Sequence, residues 1–330
     1  MIRRVLAAAV LVALAAVLLV AVWPQLFGLE RTLGVAHVVS LRAVAIAGAG
    51  VGVVAMLLLA VLAPFARRLA ASVGALLLAF CAVSGVVLAD RGFGQPAFET
   101  RAERDITVLS WNTLGNAPGA QRVADLALAN AADVVAMPET TGDFGAQVAA
   151  ILAAAGSPMT VLPVAFDEIS PARSTTLLVS ERLGAYVLDE QAGSTGQLPS
   201  VVAVPASGEG PTIVAAHPVA PISRELATWS NDLDWLGELC EREDIIVAGD
   251  LNSTVDHWGD GLGGCRDAAS ESGNAAVGTW PTALPPLLGT PIDHVLHSDS
   301  WRVVGMRVIE SEDDSGSDHR PVVAQLRPAG

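Results

Sequence analysis

The first 89 positions are filled by long, unbroken apolar runs, and after them the rhythm changes. Residues 5–23, 43–63 and 69–89 carry no charge. Each is close to the ~20 residues that a helix needs to cross a bilayer core. A cleaved leader, with Arg3 and Arg4 before an apolar run, would account for the first stretch alone. Two more stretches follow, so three membrane-crossing helices are expected over residues 1–89. The run Gly48-Ala49-Gly50-Val51-Gly52 lies inside the second and reads as a small-residue face for helix packing. Residues 90–103, with Gly92, Gly94 and Pro96, have no clear period and read as a linker.

From residue 104 onward the apolar runs are short and separated by turn residues. Strands are expected near 106–111, 133–137, 159–164, 174–180, 185–189, 200–204, 211–216, 244–248, 292–297, 301–310 and 320–326. Helical spacing marks 120–130, 141–155 and 223–241. Strands outnumber helices, and the pattern predicts an α/β or α+β layered domain over residues 104–330, with the sheets in the middle. About 240 residues past the apolar segment are enough to bury a sizeable core.

Charge sharpens the division. Residues 1–89 hold six arginines and one acid, Glu30, a charge of +5; the chain total is −15, so the remainder carries −20. No lysine occurs. So acidic a domain repels a phosphate backbone over long range, which argues against tight non-specific nucleic-acid binding. The arginine pairs Arg3-Arg4 and Arg67-Arg68 would share one side of a membrane, and the single Arg31, Arg42 and Arg91 the other. If the pairs mark the cytoplasm, the large domain lies outside it. Cys81 falls in an apolar stretch, whereas Cys240 and Cys265 are available either as thiols or, in an exported domain, as a disulfide.

The candidate chemistry lies where the apolar runs stop. They end in Trp111-Asn112-Thr113, Pro138-Glu139-Thr140, His217-Pro218 and Gly249-Asp250-Leu251-Asn252. Near the C-terminus come Ile292-Asp293-His294 and Ser317-Asp318-His319. Strand ends are where a layered fold gathers distant groups into one cleft. Each of these residues alone is more simply a turn residue or a satisfied core histidine. The ordered set of Asn, Glu, His, Asp-x-Asn, Asp-His and Ser-Asp-His is hard to obtain by accident.

On these motifs, residues 104–327 resemble the endonuclease/exonuclease/phosphatase superfamily, the DNase I-like fold. The resemblance implies a four-layer αββα sandwich with its active site at one end of two central sheets. It also implies a divalent-metal-dependent phosphoesterase using Mg²⁺ or Mn²⁺. Glu139 would be the main carboxylate ligand, with Asn112 and Asp318 near the metal. Asp250 would orient or deprotonate water; Asn252 and His217 would donate to phosphoryl oxygens; His319 would meet the phosphate, with Asp293 holding its imidazole. Ser317 would brace its loop. His294 would be structural or rim-lining, His257 would sit on a surface loop, and Arg224 and Trp280 would flank the substrate approach. Two departures stand out: Leu114 where some nucleases of the family carry an acid, and Pro138 where a Gln often precedes the Glu. The expected protein is a multi-pass membrane phosphoesterase acting on a small-molecule or lipid-linked phosphoester rather than nucleic acid. An extracytoplasmic nuclease and a non-catalytic, membrane-tethered binding module of the same fold are the alternatives.

Overall fold

The computed structural model describes residues 1–94, 98–166, 170–259 and 261–330, without the side chain of Arg3. Pro96 of the expected linker lies outside the described residues. The apolar segment forms α1 (Ile2–Val22), a short α2 (Val35–Ser40), α3 (Arg42–Leu62) and α4 (Arg67–Arg91). Helices α1, α3 and α4 are long and apolar enough to cross a membrane. Of the small-residue run in α3, Gly52 faces a neighbour: a Cβ there would lie 2.9 Å from Leu77 of α4. Gly48 and Gly50 have nothing within 4 Å, so the packing face is narrower than the sequence run suggests.

The remaining elements are β1 (Ile106–Ser110), α5 (Ala120–Ala129), β2 (Val134–Pro138), α6 (Gly142–Ala154), β3 (Met159–Ala165), β4 (Ser174–Ser180), β5 (Tyr186–Leu188) and β6 (Val201–Pro205). They continue with β7 (Thr212–Ala216), α7 (Leu226–Leu239), β8 (Ile245–Asp250), β9 (Arg266–Asp267), α8 (Ala268–Glu271), β10 (Asp293–His297), β11 (Trp301–Val308) and β12 (Val322–Pro328). Two six-stranded sheets result, ordered β11-β12-β1-β2-β4-β3 and β5-β6-β7-β8-β10-β9.

Period-2 alternation distributes the strand residues among three cores. Val108, Val134, Ile213 and Ile246 point between the sheets. Their neighbours Leu109 and Val135 pack against α5 and α6, with Val123, Val148 and Leu152. Val214 and Val247 pack against α7, with Trp229, Leu233 and Leu236. Strands covered on both faces are apolar throughout, which is why these runs show little polar alternation. The domain is therefore the expected four-layer αββα sandwich.

Topology fixes where the chemistry falls. β1 and β2 are parallel, as are β7 and β8, each pair joined through a helix. Their C-terminal ends share one edge of the sandwich. β10 runs antiparallel to β8 with Asp293 opposite Asp250, and β12 antiparallel to β1 with Val322 opposite Ser110. The starts of β10 and β12 thus reach the same edge. Cys240, at the end of α7, is joined to Cys265 by a disulfide with a Cα–Cα distance of 5.2 Å.

The segment between the first two apolar helices is folded onto the domain. Ala36 is fully buried in the core under α7. Arg31 donates to the carbonyl of His257 at 2.9 Å and pairs with Asp234. Arg42 and Arg91 both pair with the buried Asp256, at 2.8 and 2.7 Å. His257, expected on a surface loop, is 1% exposed. Thr254 caps its short helical turn, and Ala36 covers it with a carbonyl 3.1 Å from Nε2. The linker is also more structured than its composition suggests: Gly94 donates to the Gly273 carbonyl and Glu99 to that of Val304.

Candidate active site

The strand ends converge on one cavity of about 430 Å³, lined on its polar side by Glu139, His217, Asp250, Asn252, Asp318 and His319. Two hollows of about 820 and 630 Å³ are larger but carry none of these residues; the first lies at the opposite end of β8, beside Asp244. Chemistry rather than volume identifies the site.

Asn112 follows β1 and is fully buried. Its Nδ2 donates to Glu139 Oε1 at 3.1 Å and to Asp250 Oδ2 at 3.0 Å, holding two carboxylates together. Its Oδ1 accepts from the Leu114 amide at 3.0 Å. Glu139 follows β2 with φ +55°, and Leu114 and Asn252 have φ +45°. Left-handed backbone at three non-glycine residues is costly and concentrates where a site dictates geometry.

Asp250 closes β8. Its Oδ1 accepts from the Asn252 amide at 2.9 Å, and Asn252 Nδ2 reaches the Pro218 carbonyl at 3.0 Å and Asp250 Oδ2 at 3.3 Å. Gly249 before it is obligatory: a Cβ there would lie 1.9 Å from the Ala216 carbonyl oxygen of β7. Burial pushes the Asp250 carboxyl up to about 7, against the pull of His319. Burial also raises Glu139, with Asp318 and Asp293 adding to it against Asn112 and His319.

His319 precedes β12. Its Nδ1 lies 2.9 Å from Asp293 Oδ2, and its Nε2 lies 3.7 Å from Asp250 and 3.8 Å from Asp318. Burial alone would lower it, but the carboxylates of Asp293 and Asp250 outweigh that and hold it at about 10. His217, after β7, is the opposite case. Burial and the nearby His319 push it down to about 3, so it is neutral, with Nε2 4.0 Å from both Glu139 and Asp250.

The loop around Ser317 is built to place these groups. Ser317 Oγ donates to the Asn112 carbonyl at 2.7 Å and accepts from the His319 amide at 3.1 Å, which makes it a brace. Trp111 Nε1 donates to the His319 carbonyl at 3.0 Å. Thr279 Oγ1 accepts from the Asp293 amide at 3.1 Å, a support that no sequence motif marks. Trp280 lines the cavity and donates to Asp318 Oδ2 at 2.8 Å. Arg224 is exposed, pairs with Glu225 and is not among the lining residues, unlike its expected place at the substrate approach. His294 is buried between Asp267 and the Ser253 carbonyl, both at 3.0 Å, and is structural. His37, Ser40 and Leu41 also line the cavity, and nothing in their sequence context signals it.

The residues fit a divalent cation. Oδ1 of Asp318 and Oδ1 of Asp293 are buried without a hydrogen-bond partner. Three carboxylates, Glu139, Asp250 and Asp318, face one cavity. Crowded, partly desolvated carboxylate oxygens are the donor set of a hard cation. Asp250, Asp293 and His319 also present ligand atoms within 4.8 Å of one another, but the His319–Asp293 hydrogen bond already engages two of these residues.

Residues 109–319 match the model of the Endonuclease/Exonuclease/phosphatase family. Among solved structures, the chain is similar to humanized D. rerio TDP2 carrying 14 mutations, at 18% identity and a TM-score of 0.53, over 68% of this chain and 100% of that one. It is similar to the endonuclease/exonuclease/phosphatase from Beutenbergia cavernae DSM 12333, at 24% identity and a TM-score of 0.50, over 69% and 72% of the two chains. A further similar structure is D. rerio TDP2 complexed with single strand DNA product, at 18% identity and a TM-score of 0.52, over 68% and 100%. No curated protein matches the chain significantly. The match spans every strand end from Asn112 to His319, and the sandwich is the one these structures share. The chain belongs to the endonuclease/exonuclease/phosphatase family and is a metal-dependent hydrolase of phosphoester bonds.

Proposed function

We propose that the protein is a membrane-tethered phosphoesterase that uses Mg²⁺ or Mn²⁺ to attack a phosphodiester or phosphomonoester with water. The observation that carries this reading is the convergence of Glu139, Asp250, Asp318, His217 and His319 on one cavity. Glu139 and Asp318 would hold the cation, with Asn112 fixing the Glu139 carboxylate. The cation would withdraw charge from the phosphoryl oxygens. Asp250 orients the attacking water and takes its proton. The water oxygen bonds to phosphorus as the bond to the leaving oxygen breaks. Neutral His217 donates to a phosphoryl oxygen. Protonated His319 stabilises the negative charge that builds there. Asn252 braces Asp250. The three apolar helices support tethering, and the disulfide supports an extracytoplasmic domain, since disulfides persist in oxidising compartments.

A nuclease is the second reading, favoured by the similar TDP2 structure with its single strand DNA product. The domain charge of −20 and the absence of lysine weigh against it.

The test is hydrolysis of bis(4-nitrophenyl) phosphate by the full chain in nanodiscs, with Mg²⁺ and with EDTA. Activity should need the cation, and Asp250→Ala or His319→Ala should each lower kcat/KM on the order of 10²–10³-fold. Activity that survives both substitutions would remove these residues from the reaction.

A further inference from the structure

One wall of the active-site cavity does not come from the catalytic domain. His37 and Ser40 of α2 and the following Leu41 line it, facing the polar side built by Asp250 and His319. This wall is fixed. Ala36 is buried in the core under α7, and its carbonyl meets His257. Arg42, 3% exposed, is locked to Asp256 at 2.8 Å.

The wall also has a defined place relative to the apolar helices. Leu41 immediately precedes Arg42, the first residue of candidate span α3. The cavity therefore reaches the residue that immediately precedes that span. Its mouth is apolar in a way that catalysis on a polar ester does not need. Ile222 is 41% exposed and Leu114 44% exposed, and both line the cavity with Leu198 and Leu41. Exposed apolar side chains gathered around a polar centre mark a binding surface.

We propose that the segment joining the first two spans is part of the active site and makes it selective for phosphoesters carrying an apolar chain, presented from the membrane. The inference rests on the tethered-phosphoesterase reading and names its substrate class. The phosphoryl group sits against Asp250, His217 and His319, and the chain lies along Leu41, Ile222 and Leu114. Each methylene buried there favours binding, so affinity rises with chain length.

Two synthetic esters isolate the chain: 4-nitrophenyl methyl phosphate and 4-nitrophenyl dodecyl phosphate. Both react in the same way: water adds to phosphorus, the bond to nitrophenolate breaks, and the alkyl phosphate departs. With the full chain in phosphatidylcholine nanodiscs and Mg²⁺, kcat/KM should be at least tenfold higher for the dodecyl ester. Partition into the bilayer raises that value for any tethered enzyme, so the decisive quantity is the dodecyl-to-methyl ratio in variants. Ile222→Asp and Leu41→Asp, each checked for folding by thermal unfolding, should lower the ratio at least fivefold. An unchanged ratio in folded Ile222→Asp overturns the proposal, since that side chain is exposed enough to accept a charge without unfolding the domain. A parent that hydrolyses the methyl ester with no dodecyl preference leaves the phosphoesterase standing and overturns the substrate class. A parent that hydrolyses neither sinks both. A single-stranded oligonucleotide cleaved with higher kcat/KM than the dodecyl ester also overturns it.

Discussion

His319 stands among three carboxylates, and each does something different to it. Asp293 fixes the ring through Nδ1 at 2.9 Å, while Asp250 and Asp318 face Nε2 at 3.7 and 3.8 Å. A carboxylate on Nδ1 selects the protonation state and aim of Nε2 without touching the substrate. Asp293→Asn preserves the shape but not the charge. It should lower kcat on the order of 10²–10⁴-fold, the scale of the equivalent change in a hydrolase triad, with KM little changed. Steady-state kinetics on a nitrophenyl ester separate the two constants, and a rise in KM at constant kcat would give Asp293 a binding role instead. The polar groups of this centre were legible in the sequence because each interrupts an apolar run. Their supports were legible only in part: Ser317 and Trp111 stand inside the motifs, but nothing signals that Trp111 reaches a carbonyl 208 residues away, and Thr279, whose partner is 14 residues away, carries no mark beyond an ordinary loop context.

At the scale of elements, the longer strands and the long helices follow directly from periodicity with boundaries shifted by a few residues, whereas the two-residue edge strand β9 was not expected. The short α2 does not follow. Six residues are too few to hold a helix by themselves, and this one is held by the domain it covers. Its anchor point is His257. Nδ1 accepts from the Thr254 amide at 2.8 Å, so the ring carries its proton on Nε2, toward the Ala36 carbonyl. Burial pushes His257 down to about 4 from an ordinary value of 6.5, despite the Asp256 charge. The sign follows from that direction. Above pH 6.5 the ring is neutral whether α2 is docked or released, and docking has its full strength. As pH falls from 6.5 toward 4, the released state takes up a proton that the docked state refuses. Docking should weaken progressively across that window. Hydrogen exchange over residues 35–41, corrected for intrinsic rates, should be faster at pH 4.5 than at pH 7. In His257→Asn, which keeps an acceptor and a donor but does not titrate, the difference should vanish. Equal protection of the parent at both pH values would refute the argument.

The whole molecule is one assembly rather than a domain on a tether, and that changes how its charges are read. Arginine asymmetry alone was nearly balanced between the two ends of the apolar helices. The structure separates the arginines by use: Arg31, Arg42 and Arg91 are bound to Asp234 and Asp256 of the domain. The pairs Arg3-Arg4 and Arg67-Arg68 lie at the N-terminal ends of α1 and α4, and the positive-inside rule would have them mark the cytoplasm. Three crossings would then put the segment 24–41 and the catalytic domain together outside; their contacts require only that the two share a side. The Cys240–Cys265 bridge closes a sequence separation of 25 residues and agrees with an oxidising compartment. Its removal should destabilise the domain by about 3 kcal/mol. Cysteines introduced singly at the exposed Ser207 and at Arg68 give the direct reading of orientation. A membrane-impermeant maleimide should label Ser207→Cys in intact cells and Arg68→Cys after lysis alone. The reverse pattern would place the active site in the cytoplasm and leave the disulfide without the compartment that sustains it.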